Sequence, residues 1–181
     1  MKATGIVRRI DELGRVVIPK EIRRTLRIKE GDPLEIFTDR DELMLKKYSP
    51  IATLDRFSKA TARSLNDLSG KLAVICDTDG ILHAVGEGRK ELDGQSLSEE
   101  MDKILRERRS YIASAAEGGD ILPITNGREE GITAQIIVPI VSGGDCLGAV
   151  AVLSKEEGAK MEAADMNLAR LTADILANQF E

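Results

Sequence analysis

Apolar and polar positions change their spacing several times along the chain, and each change marks an element. Over residues 2–10 the spacing is two: Ile6 and Ile10 share one side with Arg8, and Val7 shares the other with Gly5 and Arg9. A strand is predicted there. Asp11-Glu12-Leu13-Gly14 reads as a turn, with Gly14 suited to positive φ, and residues 15–18 as a second strand ended by Pro19. Pro19 fits the first turn of a short helix running to about Arg27. Ile22 and Leu26, four apart, would face the core, and Arg23, Arg24 and Arg27 would point elsewhere. Gly31-Asp32-Pro33 breaks the chain. Residues 34–38 and 43–47 then form a predicted hairpin around Asp39-Arg40-Asp41-Glu42.

Ser49-Pro50 is a helix start, with Ser as N-cap and Pro at the first helical position. Ile51, Leu54, Phe57, Thr61, Leu65 and Leu68 follow at helical spacing. Two readings of this connector weigh equally: a short dimeric coiled coil, or an amphipathic helix packed on a second domain. Beyond it, residues 72–76 and 81–85 read as strands joined by the tight turn Asp77-Thr78-Asp79-Gly80. Ser96-Leu97-Ser98-Glu99 offers a capping box for a helix carrying Met101, Ile104 and Leu105. Residues 121–124 suggest a short strand, and residues 133–141 and 145–153 two long ones around Ser142-Gly143-Gly144. Ala164, Leu168, Leu171, Ile175 and Leu176 mark a C-terminal amphipathic helix. The pattern predicts a mixed α/β chain: a β-rich unit over 1–50, a connector helix over 51–69, and an α/β domain over 70–181.

Charge sharpens this division. The chain carries −5 overall, yet residues 1–29 hold nine Lys/Arg against three acids, a net of +6. Residues 51–181 hold 14 basic and 22 acidic residues, a net of −8. A basic head on an acidic chain points to a local polyanion site rather than a generally adhesive surface. Aromatic residues make up 3% of the chain, too few for the stacking platforms of a single-strand binder.

The only two cysteines, Cys76 and Cys146, sit in apolar strand patterns, and the only histidine, His83, lies in a strand with no obvious acidic partner. Buried thiols and a satisfied or surface histidine are the simpler readings. No Cys/His set has metal-ligand spacing, so no metal or other cofactor is expected. Asp77 and Asp79 beside Gly80 are turn residues before they are a metal pair. No catalytic constellation or phosphate-binding glycine loop is found, so an enzyme is not expected. No apolar run is long enough to span a bilayer, and residues 1–9 lack the apolar stretch of a signal peptide. The expectation is a cytoplasmic protein with no membrane partner.

The candidate chemistry is therefore in Arg8, Arg9, Arg15, Arg23 and Arg24, guanidinium groups spread over a strand, a turn exit and a helix. Rigid placement of such groups suits phosphate. A unit of fewer than about 50–60 residues is marginal as a monomer, and with metal and disulfide excluded an obligate dimer is expected. Pairing would double the five arginines to ten.

Residues 2–19, from Lys2-Ala3-Thr4-Gly5-Ile6-Val7-Arg8-Arg9 through Gly14-Arg15-Val16-Val17-Ile18-Pro19, resemble the signature of the AbrB-like transition-state regulators. Glu21-Ile22-Arg23-Arg24-Thr25-Leu26, Leu34-Glu35-Ile36 and Leu45-Lys46-Lys47-Tyr48 continue the match across residues 1–50. The resemblance implies a swapped-hairpin β-barrel, in which two chains interleave their strands. It also implies double-stranded DNA as partner, contacted at Arg8, Arg9, Arg15, Arg23 and Arg24. The hairpin over 73–85, Val138-Pro139-Ile140 and Gly148-Ala149-Val150 resemble GAF sensor domains. The spaced Asn-Lys-Phe-Asp-Glu signature of the cyclic-nucleotide class is not found, so an unidentified small-molecule effector, or dimerisation alone, stays open. An AbrB-like head followed by a GAF domain resembles sporulation regulators. That implies forespore genes, and a tetramer in which GAF domains pair through helices.

The expected function is binding of easily deformed A·T-rich promoter DNA to activate or repress transcription, with the GAF domain adjusting affinity. Two rivals remain. An antitoxin shares such a head but follows it with a tail disordered when free, whereas residues 70–181 show regular periodicity. A small-molecule receptor would make the C-terminal domain the main actor.

Overall fold

The chain divides between Tyr48 and Ser49 into two units. The computed structural model describes residues 5–127 and 131–180. Lys2, Ala3 and Thr4, where the first strand is predicted to begin, lie outside the described residues.

The first unit contains helix α1 (Lys20–Thr25) and an antiparallel hairpin of β1 (Leu34–Asp39) and β2 (Glu42–Lys47). The hairpin register runs from Leu34↔Lys47 to Asp39↔Glu42. Arg40 turns it in the left-handed region at φ 47°. α1 is shorter than predicted. Pro19 is its N-cap rather than its first residue, and Leu26 caps its other end. Arg27 then leaves the helix at φ 52°, and Ile28 N donates back to Arg23 O at 2.7 Å.

The predicted strands over 5–10 and 15–18 carry no ladder. Their turn is closed, by Asp11 N donating to Arg15 O (3.1 Å) and Gly14 N to Asp11 O (3.0 Å). A strand is defined by the edge it pairs with, and no ladder edge meets these segments among the described residues. No described residue of this unit is buried. Val7 is 84% exposed and Val17 72%, and Leu26, predicted to face a core, is itself exposed.

The second unit opens with α2 (Pro50–Thr53) and α3 (Asp55–Ser69), separated at Leu54. Ser49 is the predicted N-cap, its Oγ accepting from Ala52 N at 3.2 Å. A five-stranded antiparallel sheet follows in the order β4-β3-β7-β6-β5, with β3 Leu72–Cys76, β4 Ile81–Val85, β5 Tyr111–Ser114, β6 Ala134–Ser142 and β7 Asp145–Ser154. Helices α4 (Glu99–Glu107) and α5 (Ala163–Ala177) complete it.

Period-two alternation gives the sheet two apolar faces. Ile75, Ile136, Val138, Val150 and Val152 pack with Ile51 and Leu65 of α2 and α3 and with Leu176 of α5. Val74, Ile137, Ala151 and Leu153 pack with Met101, Ile104 and Leu105 of α4 and with Leu97 and Ile124. The connector helix therefore lies on the second unit's own sheet, which is the packed-helix reading. Of its other large apolar residues, Leu54 is half-buried and Phe57 and Leu68 stay exposed.

Three details depart from expectation. The cap of α4 is Ser98, not Ser96: its Oγ accepts from Met101 N at 3.0 Å and donates to Pro123 O at 2.6 Å. Residues 121–124 form no strand, because Pro123 has no N–H for a ladder. With its amide turned to match, the buried Gln135 side chain serves Leu122 instead, donating to its carbonyl (3.0 Å) and accepting from its N–H (2.7 Å). The strand that closes the β6 side of the sheet is β5, which pairs with β6 from Tyr111↔Ile137 to Ser114↔Ala134.

Candidate nucleic-acid interface

All five candidate arginines lie on the first unit, and all are exposed. Arg8 and Arg9 follow one another in the segment before the turn. Arg15 leaves the turn. Asp11 organises that turn: Oδ1 accepts from Leu13 N (3.0 Å) and Arg15 N (2.8 Å), and Oδ2 accepts from Arg15 Nε (2.8 Å). The Arg15 backbone N–H, then its guanidinium, hold the Asp11 carboxyl below its usual range. The carboxylate thus positions the Arg15 side chain while leaving it 71% exposed.

Arg23 and Arg24 are neighbours on α1. Lys20, at the start of the same helix, lies three and four residues before them and so shares their side. It was not among the sequence candidates; the signal that reveals it is the helix start itself. Arg8, Arg9, Arg23 and Arg24 make no ion pair among the described residues. No hydrogen bond ties any of the five to another there. Their groups remain free to meet an external anion.

The second unit carries the remaining candidates. Burial pushes the Cys76 thiol far up, and burial raises Cys146 as well, in keeping with structural thiols. Asp77 is a turn residue as read: its Oδ1 accepts from Asp79 N (2.8 Å) and Gly80 N (2.9 Å). His83 corrects the sequence reading, because it does have an acidic partner. Its Nε2 lies 3.5 Å from Asp55 Oδ1, a residue of α3 that is 28 positions away in sequence and so invisible to local inspection.

Burial lowers the His83 pKa below 6.5, outweighing the upward pull of Asp55. The fold therefore favours neutral imidazole. That contribution to stability is complete above about pH 6.5 and declines as pH falls through the lowered folded value. The unfolding midpoint should drop between pH 7 and 5, and His83→Gln should flatten that slope. An unchanged slope in the variant would remove His83 as the cause.

A family profile described as stage V sporulation protein T C-terminal, transcription factor, matches residues 53–181. A second, described as antidote-toxin recognition MazE, bacterial antitoxin, matches residues 7–53. Stage V sporulation protein T of Bacillus subtilis (strain 168) is 47% identical over 182 residues, covering 100% of this chain and 99% of that protein. Transition state regulatory protein AbrB of Bacillus subtilis (strain 168) is 45% identical over 92 residues, covering 51% of this chain and 94% of that protein. The GAF domain from Acinetobacter phosphoenolpyruvate-protein phosphotransferase is 13% identical over 74% of this chain and 82% of that one, with a TM-score of 0.55. That last likeness is one of fold, and it makes the second unit GAF-like.

These are the two parts of a transcription regulator: an AbrB-like head and a GAF-like α/β domain. The chain belongs to the stage V sporulation protein T family of transcription factors.

Proposed function

We propose that this chain regulates sporulation genes by gripping the phosphates of A·T-rich promoter DNA with Arg8, Arg9, Arg15, Arg23 and Arg24 of a dimeric head. The observation that carries this reading is the set of exposed guanidinium groups, four of them unpaired, on a segment of net +6 in an acidic chain. Lys20 joins the set through its place on α1. Phosphate contact fixes register, and the deformability of A·T-rich duplex supplies selectivity where few groups suit a base code. Fluorescence anisotropy of the full-length protein on such a duplex, across a salt series, tests this directly. Affinity should fall linearly in log–log form, with a slope near −0.9 per phosphate neutralised. A folded, oligomeric protein that fails to bind at low salt would end this reading.

Two sets of exposed apolar residues support self-association. The head leaves Val7, Ile10, Leu13, Val17, Ile36 and Leu43 exposed, and two heads that exchange strands would cover them. In the second unit α3 and α5 touch on one face of the sheet, and Phe57, Leu68, Leu171 and Ile175 are exposed on them. Pairing of GAF-like domains through this surface would join two dimers into a tetramer. Leu171→Asp/Ile175→Asp should halve the mass seen by sedimentation from tetramer to dimer. A wild type never heavier than a dimer would reject the helix pairing while leaving the head dimer intact.

A further inference from the structure

A groove of about 510 Å³ lies in the second unit where α3 meets the edge strand β4. α3 contributes Asp55, Lys59 and Arg63 to its lining, β4 contributes His83, and the segment after β4 contributes Arg89 and Asp93. Lys59, Arg63 and Arg89 are exposed and make no ion pair among the described residues. A second groove of about 400 Å³ makes the contrast, because its two lysines are committed. Lys71 is bound to Asp165 at 3.0 Å and Lys155 to Glu91 at 2.7 Å. The two acids of the first groove have other tasks: Asp93 Oδ1 accepts from Ala84 N at 3.1 Å, and Asp55 faces His83.

We propose that the groove between α3 and β4 binds a small molecule bearing a di- or triphosphate group, held between Lys59 and Arg63 on one side and Arg89 on the other. Three cations from two separate elements suit an anion of two or three charges better than a single carboxylate. The space falls within the range of small-ligand sites. Asp55 and Asp93 would repel a long continuous polyanion yet can accept hydroxyl or amino donors on a compact ligand. His83 Nε2 lies beside Asp55 and adds a further polar group. The site does not depend on the DNA reading, since every residue lining it lies in the second unit.

The test is titration calorimetry of the full-length protein with inorganic pyrophosphate and, separately, with ATP. At least one should bind once per chain, with a dissociation constant of about 1 mM or tighter. Lys59→Gln/Arg63→Gln should weaken that binding at least about tenfold, as expected for loss of charge-assisted contacts. Arg89→Gln, on the other wall, guards against local damage to α3 and should do the same. Arg23→Ala/Arg24→Ala should leave it unchanged. No binding of either anion up to about 5 mM overturns the proposal, a limit set by the affinity range above. So does binding indifferent to the groove substitutions, or binding lost with the head arginines. If the groove substitutions weaken DNA affinity and neither anion binds, the groove is a nucleic-acid contact and the proposal fails.

Discussion

Arg23→Ala/Arg24→Ala should cost the protein at least about 100-fold in affinity for promoter DNA at low salt. In a dimeric head the substitution removes four guanidinium groups. If each neutralises one phosphate, the log–log salt slope should fall by about 3.6. Both side chains are exposed on α1 and unpaired among the described residues, so the fold should not be disturbed. The melting transition serves as the control. Arg23→Lys/Arg24→Lys separates charge from geometry: lysine keeps the point charge, hence most of the slope, and loses the planar fork. Affinity should then fall by less than in the alanine variant. A double alanine variant that binds within about twofold of wild type would move the interface away from α1, since even one lost phosphate contact exceeds that.

The largest effect on stability is expected at Gly148. Its backbone crosses the end of β3 so closely that a Cβ would overlap the Cys76 carbonyl oxygen and sit 2.9 Å from Asp77 Cα. Both neighbours are backbone, and neither can swing aside as a side-chain tip could. β3 and β7 are paired here, with Cys76 opposite Ala149, in the interior of the five-stranded sheet. Gly148→Ala must push the strands apart, at a cost of about 3 kcal/mol, the upper end of the usual range for overpacking. The variant should unfold several degrees lower, or accumulate as aggregate. A melting midpoint within about 1 °C of wild type would show that the sheet yields at this crossing without cost. Gly143→Ala is a useful contrast, because a Cβ there meets no atom within 4 Å and only its φ of 57° opposes it.

Much of the second unit was legible in the sequence because its elements are two-sided and their patterns are local. Residues 134–142 and 145–154 alternate between two apolar faces, and both faces are covered within the chain. The N-cap at Ser49 could be read because capping involves residues only three apart. Where a cap had rivals, as at Ser96 and Ser98, local rules failed. The choice rests on Ser98 Oγ reaching Pro123, 25 residues away. β5 was missed for a similar reason. Residues 111–114 carry little strand signal of their own, and β6 recruits them.

For the head the balance is reversed. The sequence alone determined its charge, its arginines and its likeness to AbrB-like regulators, because those are properties of residue identity. It also expected Ile22 and Leu26 to face a core, whereas no described residue of the first unit is buried and Leu26 is exposed. Only the tertiary structure decided that residues 5–10 and 15–18 form no ladder among the described residues, since pairing depends on which edges are within reach. Only the tertiary structure placed Asp55 against His83 and gathered Lys59, Arg63 and Arg89 around one groove. Such contacts join residues dozens of positions apart, and side-chain chemistry at that separation is set by how elements pack, not by their order along the chain.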